Sequence, residues 1–428
     1  MAMLDEERPD QPRRAVLCAV QTPEIDDTAF HESLVELARL SQTLGLEVVG
    51  QVVQRRVSAA AAAYLGPGRL EDLARLVREG GAPTVVVVDH EITPSQARNI
   101  EKATGAAAVL DRTALILEIF HRHARSRAAR LQVEIVRLSY MAPRLRESLQ
   151  GRDRQRGLLG GRGPGESQLE LDRRKIRDRM AELRAQLAQL RAERKVQRAR
   201  RQGLRRVALC GYTNAGKSTL FRALTGADVY IADRLFATLD TTVRALSPEV
   251  RPRILVSDTI GFVRNLPTRL VESFRSTLEE ATEASLILHV VDASDRAWPS
   301  HMATTNEVLA EIGAGAVPQI LVFNKIDRLP GGLPEEVVAR YPGALALSAL
   351  RSQDVLRLRQ AVLAFFERDL VESELILPYH LQQLRAEVFA TCQVLAEEPE
   401  ETGVRFRLRA PQGVLDQLRV RASLPRLG

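Results

Sequence analysis

Long apolar segments and paired cysteines are both missing from this sequence of 428 residues. The longest apolar runs, such as 286–291 and 85–88, have the length of a β-strand, whereas a transmembrane helix needs about 20 apolar residues. The three cysteines are far apart and odd in number, which predicts no disulfide framework. Residues 1–11 lack the basic-then-apolar order of a signal peptide. We therefore expect a cytoplasmic protein without a transmembrane segment.

Basic residues are unevenly distributed along the chain. From His121 to Arg206 the sequence has 25 Lys and Arg against nine Asp and Glu, although the net formal charge of the whole chain is only +7. A surplus of 16 in one segment leaves the remainder with a net charge of −9. Such a segment is typical of a surface that binds a polyphosphate, most often a nucleic acid. A solvated helical face is the alternative, and the size of the surplus favours nucleic acid.

Strands and helices alternate in two parts of the chain, which predicts a multidomain α/β protein. In the second part, apolar strands end in turns that carry Gly, Asp and Asn, where ligands bind in a doubly wound sheet. The predicted organisation is a tail at 1–13, an N-terminal α/β domain at 14–125, a basic helical hairpin at 126–203, a doubly wound domain at 204–370 and a small α+β domain at 371–428.

Two long helical segments separate the α/β parts, and their apolar residues follow a 4-3-4-3 rhythm. This period predicts two helices packed as an antiparallel hairpin. The seam residues are Leu131, Ile135, Leu138, Ala142 and Leu145, then Ile176, Met180, Leu183, Leu187 and Leu190. We predict a loop at 150–165, whose six glycines and four arginines would offer amides and guanidinium groups to phosphates. A mobile linker is the alternative.

A phosphate-binding loop pattern lies between a predicted strand at 207–210 and a predicted helix at 219–224. Backbone amides of such a loop and of the helix N-terminus converge on phosphate oxygens. Lys217 would neutralise the β- and γ-phosphates, and the Ser218 hydroxyl would bind Mg²⁺. The residues assigned to this loop are Gly211, Tyr212, Thr213, Asn214, Ala215, Gly216, Lys217 and Ser218.

Three further elements follow at the ends of predicted strands: Asp258, Thr259, Ile260 and Gly261; then Asn324, Lys325, Ile326 and Asp327; then Ser348, Ala349 and Leu350. The Asp258 carboxylate is suited to orient Mg²⁺ through a water, and the Gly261 amide to contact the γ-phosphate. Asp327 can accept hydrogen bonds from the N1–H and 2-amino groups of guanine, which adenine lacks. The order of these elements predicts a P-loop GTPase domain that binds GTP and GDP, and disfavours an ATPase or a P-loop kinase.

A threonine-rich segment between the first two elements offers another ligand for Mg²⁺, and such a segment would order when the γ-phosphate is present. The assigned residues are Phe236, Ala237, Thr238, Leu239 and Asp240. Spacing alone leaves Thr238, Thr241 and Thr242 as candidates.

Six segments together resemble the HflX family of translational GTPases over nearly the whole chain: 64–68, 138–145, 160–170, 211–218, 236–240 and 258–262. The resemblance implies that Thr238 is the Mg²⁺ ligand of the switch segment, with Lys217, Thr238 and Gly261 as catalytic residues. It also implies binding to the large (50S) ribosomal subunit and its rRNA, faster GTP hydrolysis there, and separation of stalled or idle ribosomes under stress. Peripheral membrane association is known in the family.

We expect a monomer that does not bind DNA. The alternative function is a GTP-switched scaffold that recruits proteins through its N-terminal domain and has no ribosomal role. Phe262 stands where many GTPases have a Gln that orients the attacking water, so we expect slow intrinsic hydrolysis that the ribosome stimulates. Asn214 is a candidate to help hold K⁺ beside the phosphates, and hydrogen bonding within the loop is its other interpretation.

Overall fold

The computed structural model describes residues 13–80, 83–156, 168–199, 204–228, 234–264, 267, 270 and 278–422. These residues belong to two compact units. The first comprises the described residues within 1–193, 233–240 and 264–275, and the second those within 194–232, 241–263 and 276–428. The predicted multidomain α/β class is confirmed, because parallel sheets with crossover helices occur in both units.

The first unit begins with a four-stranded sheet in the order β2-β1-β3-β4, in which every pair is parallel. Its strands are β1 (Arg13–Gln21), β2 (Leu46–Arg55), β3 (Thr84–Val88) and β4 (Ala108–Asp111). Its helices are α1 (Asp27–Thr43), α2 (Pro67–Glu79), α3 (Pro94–Thr104) and α4 (Arg112–His123). All five residues of β3 are buried, as expected for a parallel sheet covered on both faces.

Local sequence explains where these helices begin. Thr93 and Gln96 form a capping box at the start of α3, with Pro94 in the first turn. Asp26 caps α1 and Asp111 caps α4 by accepting from backbone N–H groups.

Two long helices follow, α5 (Arg127–Arg156) and α6 (Gln168–Ala199), and the first unit includes α5 and α6 up to Glu193. Leu131 near the beginning of α5 shares an apolar cluster with Leu187 and Leu190 in the second half of α6, so the predicted antiparallel hairpin is confirmed. The predicted loop at 150–165 is wrong at its start, because α5 continues to Arg156. Gln and Arg favour helix here, and a single Gly does not end it. Residues 157–165 lie outside the described part of the chain.

The base of the hairpin is attached to the N-terminal sheet through Asp111, which is fully buried at the end of β4. Its carboxylate accepts from the Tyr140 hydroxyl at 2.6 Å and from Arg144 Nη2 at 2.5 Å, both on α5. Arg144 also donates to the Ile92 carbonyl oxygen at 2.8 Å. Hydrogen bonds to a buried carboxylate are strong, so they fix the orientation of α5 on the sheet.

The second unit contains a six-stranded sheet in the order β10-β9-β8-β5-β7-β6, parallel except for β6 against β7. Its strands are β5 (Arg205–Gly211), β6 (Thr242–Ala245), β7 (Ile254–Asp258), β8 (Leu286–Asp292), β9 (Gln319–Asn324) and β10 (Leu345–Ala346). Its helices are α7 (Lys217–Thr225), α8 (Trp298–Glu311), α9 (Glu335–Arg340) and α10 (Ser352–Glu367). The order places the carboxyl ends of β5, β7, β8 and β9 at one edge of the sheet.

A small antiparallel sheet ends the second unit, in the order β11-β13-β12. It consists of β11 (Leu370–Pro378), β12 (Gln393–Pro399) and β13 (Gly403–Pro411), with α11 (Gln383–Thr391) and α12 (Gln412–Ala422). The described residues contain no helix that is both long and apolar enough to cross a membrane.

Candidate nucleotide-binding site

The phosphate-binding loop joins the end of β5 to the start of α7. Gly216 has a φ of +92°, and a Cβ there would lie 2.2 Å from Asn324 Nδ2, so only glycine fits. Lys217, which is 5% exposed, donates through Nζ to the carbonyl oxygens of Gly211 at 3.0 Å and Tyr212 at 2.7 Å. The loop therefore holds its ammonium group above the helix N-terminus, where an anion binds well.

Asp258 and Ser218 bring two hard oxygen ligands together. Strand β7 pairs with β5, and the Ser218 hydroxyl donates to Asp258 Oδ2 at 2.6 Å. Gly261 follows closely, and a Cβ on it would lie 2.8 Å from the Thr213 Cα and 3.0 Å from Lys217 Nζ. The absence of a side chain at Gly261 thus keeps room beside the ammonium group for a phosphate.

Phe262 is 1% exposed and is tied to the phosphate-binding loop through its backbone. Its carbonyl oxygen accepts from the Thr213 N–H at 2.8 Å, and its own N–H donates to the Gly211 carbonyl oxygen at 3.2 Å. A buried apolar ring cannot hydrogen-bond a water, so Phe262 does not orient the nucleophile.

Asn324 connects three of the predicted elements. Its Nδ2 donates to the Ala215 carbonyl oxygen at 2.9 Å, and its Oδ1 accepts from the Ala349 N–H at 3.0 Å. The Asp327 carboxylate is exposed, so it is accessible to a purine base. Four predicted elements, at 211–218, 258–261, 324–327 and 348–350, therefore lie in the second unit, at the strand ends where the sequence places them.

Two acidic residues at this site were not predicted. Asp292 Oδ2 lies 2.8 Å from Lys325 Nζ, which in turn donates to the Asn214 carbonyl oxygen at 2.7 Å. Asp354 Oδ2 accepts from the Ser348 N–H at 2.9 Å and so shapes the turn that precedes Ala349. Position at a strand end could have indicated Asp292, whereas Asp354 lies in the first turn of α10, and nothing in its local sequence marks it.

The electrostatics of the loop are set by burial. Burial lowers the pKa of the Lys217 ammonium to about 8, and the negative charge of Asp258 partly opposes this. A phosphate next to the ammonium would favour its charged form. The described residues contain no group of three or more His, Cys, Asp and Glu side chains that could hold a metal ion.

The segment Phe236 to Asp240 belongs to the first unit and not to the second. The Phe236 carbonyl oxygen accepts from His123 Nδ1 at 2.8 Å, and the Asp240 carboxylate accepts from the backbone N–H of Ser126 at 3.0 Å. Thr238 lies between these two attached residues. Contact of this segment with nucleotide or Mg²⁺ stays a prediction.

Three family models match consecutive parts of the chain. One described as "GTP-binding GTPase N-terminal" matches residues 31–121, one described as "GTP-binding GTPase Middle Region" matches residues 123–201, and one described as "50S ribosome-binding GTPase" matches residues 206–325.

Proteins named GTPase HflX are similar to nearly the whole chain. One from Gluconacetobacter diazotrophicus is 50% identical over 440 residues, which cover 95% of this chain and 97% of that protein. One from Escherichia coli K12 is 36% identical over 413 residues, which cover 95% of each. The chain belongs to the HflX family of GTPases. The resemblance drawn from six sequence segments is therefore confirmed, and this HflX-family chain binds GTP and GDP and hydrolyses GTP.

A crystal structure of a GTP-binding protein from the hyperthermophilic archaeon Sulfolobus solfataricus in complex with GDP is similar to the HflX-family chain in fold. The TM-score is 0.45 at 23% sequence identity, and the match covers 82% of this chain and 99% of that one.

Proposed function

We propose that this HflX-family GTPase acts on the large (50S) ribosomal subunit and separates stalled or idle ribosomes under stress. The basic hairpin, α5 and α6, carries the proposal. Arg174, Arg177 and Arg184 are exposed along α6, and α5 is fixed at its base by the hydrogen bonds to Asp111. A rigid arm with exposed guanidinium groups suits the dense phosphates of rRNA. A cytoplasmic, monomeric protein is part of the same proposal.

The residues at the phosphate-binding loop fit Mg²⁺ as cofactor. A hydroxyl and a carboxylate, from Ser218 and Asp258, meet at 2.6 Å, and Mg²⁺ prefers such oxygen ligands. Bound with GTP, Mg²⁺ would neutralise charge on the β- and γ-phosphates. Ser218 and Thr238 are the proposed direct ligands. Asn214, which has a φ of +61°, is the residue proposed to help hold K⁺.

Hydrolysis would proceed by in-line attack of water on the γ-phosphate. Groups already in position would stabilise the negative charge that develops on the leaving group. Lys217 is fixed by two carbonyl oxygens, so its ammonium needs no reorganisation as charge develops on the β–γ bridge. The Gly261 N–H is the proposed donor to the γ-phosphate. Because Phe262 is buried, water must be positioned by other groups, which accounts for the slow intrinsic rate we expect and for stimulation by the ribosome.

Co-sedimentation with 50S subunits tests the ribosomal role. We compare the full chain with a variant that lacks residues 151–165 and with the triple variant Arg174→Gln, Arg177→Gln, Arg184→Gln, with a non-hydrolysable GTP analogue and with GDP. The matched control is Arg405→Gln, Arg407→Gln, Arg409→Gln, which removes the same charge from β13. We expect only the hairpin variants to weaken binding and to lower its salt dependence.

A GTP-switched protein scaffold is the competing function. In that case 50S subunits would not bind the unchanged chain, and this result would reject the ribosomal proposal and leave GTP hydrolysis unaffected. Equal binding of the hairpin variants and the β13 control would instead reject the hairpin as the part that binds 50S subunits.

A further inference from the structure

The switch segment Phe236 to Asp240 is fastened at both ends to residues more than 100 positions away in sequence. At one end, the Asp240 carboxylate accepts two hydrogen bonds from Ser126, from its backbone N–H at 3.0 Å and from its hydroxyl. At the other end, His123 Nδ1 donates to the Phe236 carbonyl oxygen at 2.8 Å. All these residues lie in the first unit.

Apolar contacts strengthen the Phe236 end. Phe236 is 2% exposed, and its ring packs edge-to-face on Phe120 of α4 with ring centroids 4.6 Å apart. Phe236 also has a φ of +56°, which L-residues with bulky side chains rarely adopt. Such a backbone conformation persists only where the surroundings determine it, and here burial and the His123 hydrogen bond do so.

Thr238 is two residues from each fastened end. Two residues of extended chain span at most about 7 Å, so the Thr238 Cα cannot move farther than that from either Phe236 or Asp240. A larger displacement requires that one end detaches or that the N-terminal domain moves with the segment. The range of positions open to Thr238 is thus limited by residues outside the GTPase domain.

Ser126 connects this arrangement to the basic hairpin. It immediately precedes α5, and its hydroxyl oxygen accepts from the Ala129 N–H at 3.1 Å, as a helix cap does. The Asp240 carboxylate therefore lies at the N-terminus of the first hairpin helix, where negative charge is favourable. A change in the orientation of α5 alters the donors that hold Asp240.

We infer that Asp240 and Ser126 are positioning residues for GTP hydrolysis, which hold Thr238 in place and tie it to the first helix of the basic hairpin. The inference rests on the proposed role of Thr238 as a ligand of Mg²⁺. Coupling between two sites is reciprocal. Contacts of the hairpin with the 50S subunit can therefore act on the switch segment through the hydrogen bonds between Ser126 and Asp240.

Single-turnover GTP hydrolysis by the full chain tests the inference, together with GDP affinity. Asp240→Asn keeps the shape of the side chain and leaves the cap of α5 intact, but loses the charge and one acceptor oxygen. We expect hydrolysis to slow about tenfold, the loss typical for hydrogen bonds to a charged group, while GDP affinity stays within about twofold. Asp228→Asn, an exposed acid between α7 and the switch segment, is the matched control and should hydrolyse GTP at the unchanged rate.

Two more variants separate positioning from general damage. Ser126→Thr keeps both donors, and we expect it to hydrolyse GTP at the rate of the unchanged chain. Ser126→Ala loses the hydroxyl donor, and we expect it to hydrolyse GTP more slowly. The double variant Ser126→Ala, Asp240→Asn should be no slower than the slower single variant, because both changes break one interaction. With 50S subunits, Asp240→Asn should bind as before but show a smaller stimulation of hydrolysis.

The outcomes distinguish the inference from the proposed function. An unchanged rate in Thr238→Ala would reject the proposed Mg²⁺ ligand. A slow Thr238→Ala with an unchanged rate in Asp240→Asn would overturn the inference. A parallel loss of GDP affinity in Asp240→Asn, or additive losses in the double variant, would also overturn it, since they indicate a structural defect.

Discussion

The ammonium group of Lys325 lies 2.8 Å from the carboxylate of Asp292 and donates to the carbonyl oxygen of Asn214 at 2.7 Å. Asp292 ends strand β8 and faces Asn324 across the β8–β9 ladder, so the sheet fixes its position. Its second oxygen accepts from the Ser294 N–H and hydroxyl. The half-buried carboxylate of Asp292 thus holds Lys325 against the phosphate-binding loop.

Replacing Asp292 should weaken nucleotide binding. In Asp292→Ala, Lys325 loses its charged partner, and its hydrogen bond to the Asn214 carbonyl oxygen weakens. We therefore expect GDP affinity to fall about tenfold. Fluorescent GDP titration measures this effect. Asp228→Ala removes an exposed acid from the same unit and should have no effect. Unchanged affinity in Asp292→Ala would show that Lys325 is positioned without the ion pair.

Asp327→Asn should change the base that is preferred. An Asn amide can donate to the 2-oxo group of xanthine but cannot accept both donors of guanine. We expect GTP affinity to fall about a hundredfold, the loss of two charge-assisted hydrogen bonds, and XTP affinity to rise. Competition of GTP, XTP and ATP against fluorescent GDP measures the order. If GTP stays preferred over XTP, Asp327 does not contact the base.

Nucleotide binding should depend on pH through Lys217. Its pKa is lowered to about 8 in the nucleotide-free protein, so above that pH the free protein is mostly neutral at this position. Phosphate favours the charged form, and binding must then take up a proton, so the dissociation constant for GDP should rise about fourfold from pH 7 to pH 8.5. Calorimetry in buffers with different ionisation enthalpies counts the protons. Binding without proton uptake at pH 8.5 would refute this pKa.

The same pKa has a consequence for stability without nucleotide. Between about pH 8 and the ordinary lysine value near 10.5, the unfolded chain binds a proton at Lys217 that the folded chain has released. The contribution of Lys217 to the free energy of unfolding therefore rises with pH in this window.

Phe262→Gln should not create a faster GTPase. The Phe262 ring is buried, and two backbone hydrogen bonds hold the residue against the phosphate-binding loop. A Gln there would bury an amide with no partner at a cost of about 1 to 3 kcal/mol, and would not reach the attacking water. We expect a lower free energy of unfolding and no gain in single-turnover rate. Phe262→Leu is the control for the loss of the ring, and a rate gain in Phe262→Gln alone would contradict the expectation.

Asp111→Ala should loosen the base of the hairpin. The substitution leaves the mostly buried Arg144 without its carboxylate partner, and it removes the N-cap of α4. We therefore expect a loss of about 3 to 5 kcal/mol in local stability. Native-state amide exchange of strand β3 measures this loss. Asp72→Ala breaks exposed pairs with Arg69 and Arg75 and should cost about 0.5 kcal/mol or less. Equal losses in the two variants would refute the role of Asp111.

By itself the sequence determined the parts that depend on local order. The phosphate-binding loop, Asp258 and Asn324 each follow an apolar strand, and strand ends of a parallel sheet meet at one edge, so their meeting could be predicted. The hairpin was equally predictable from its apolar period. Strand β6 was not predicted, because it is four residues long, antiparallel and only partly buried. The predicted start of the loop at residue 150 was wrong, because the prediction gave more weight to the glycines than to the helix-forming Arg and Gln residues around them.

Only the tertiary structure decided which distant residues hold the site in place. Asp354 and Ser126 act through hydrogen bonds to partners that chain folding brings near, and no local pattern identifies them. The switch segment is the clearest case. Its sequence predicts a part of the GTPase domain, yet Phe236 is bound to the N-terminal domain and Asp240 to Ser126 at the start of the hairpin. Burial of an aromatic ring and satisfaction of a carboxylate depend on neighbours in space.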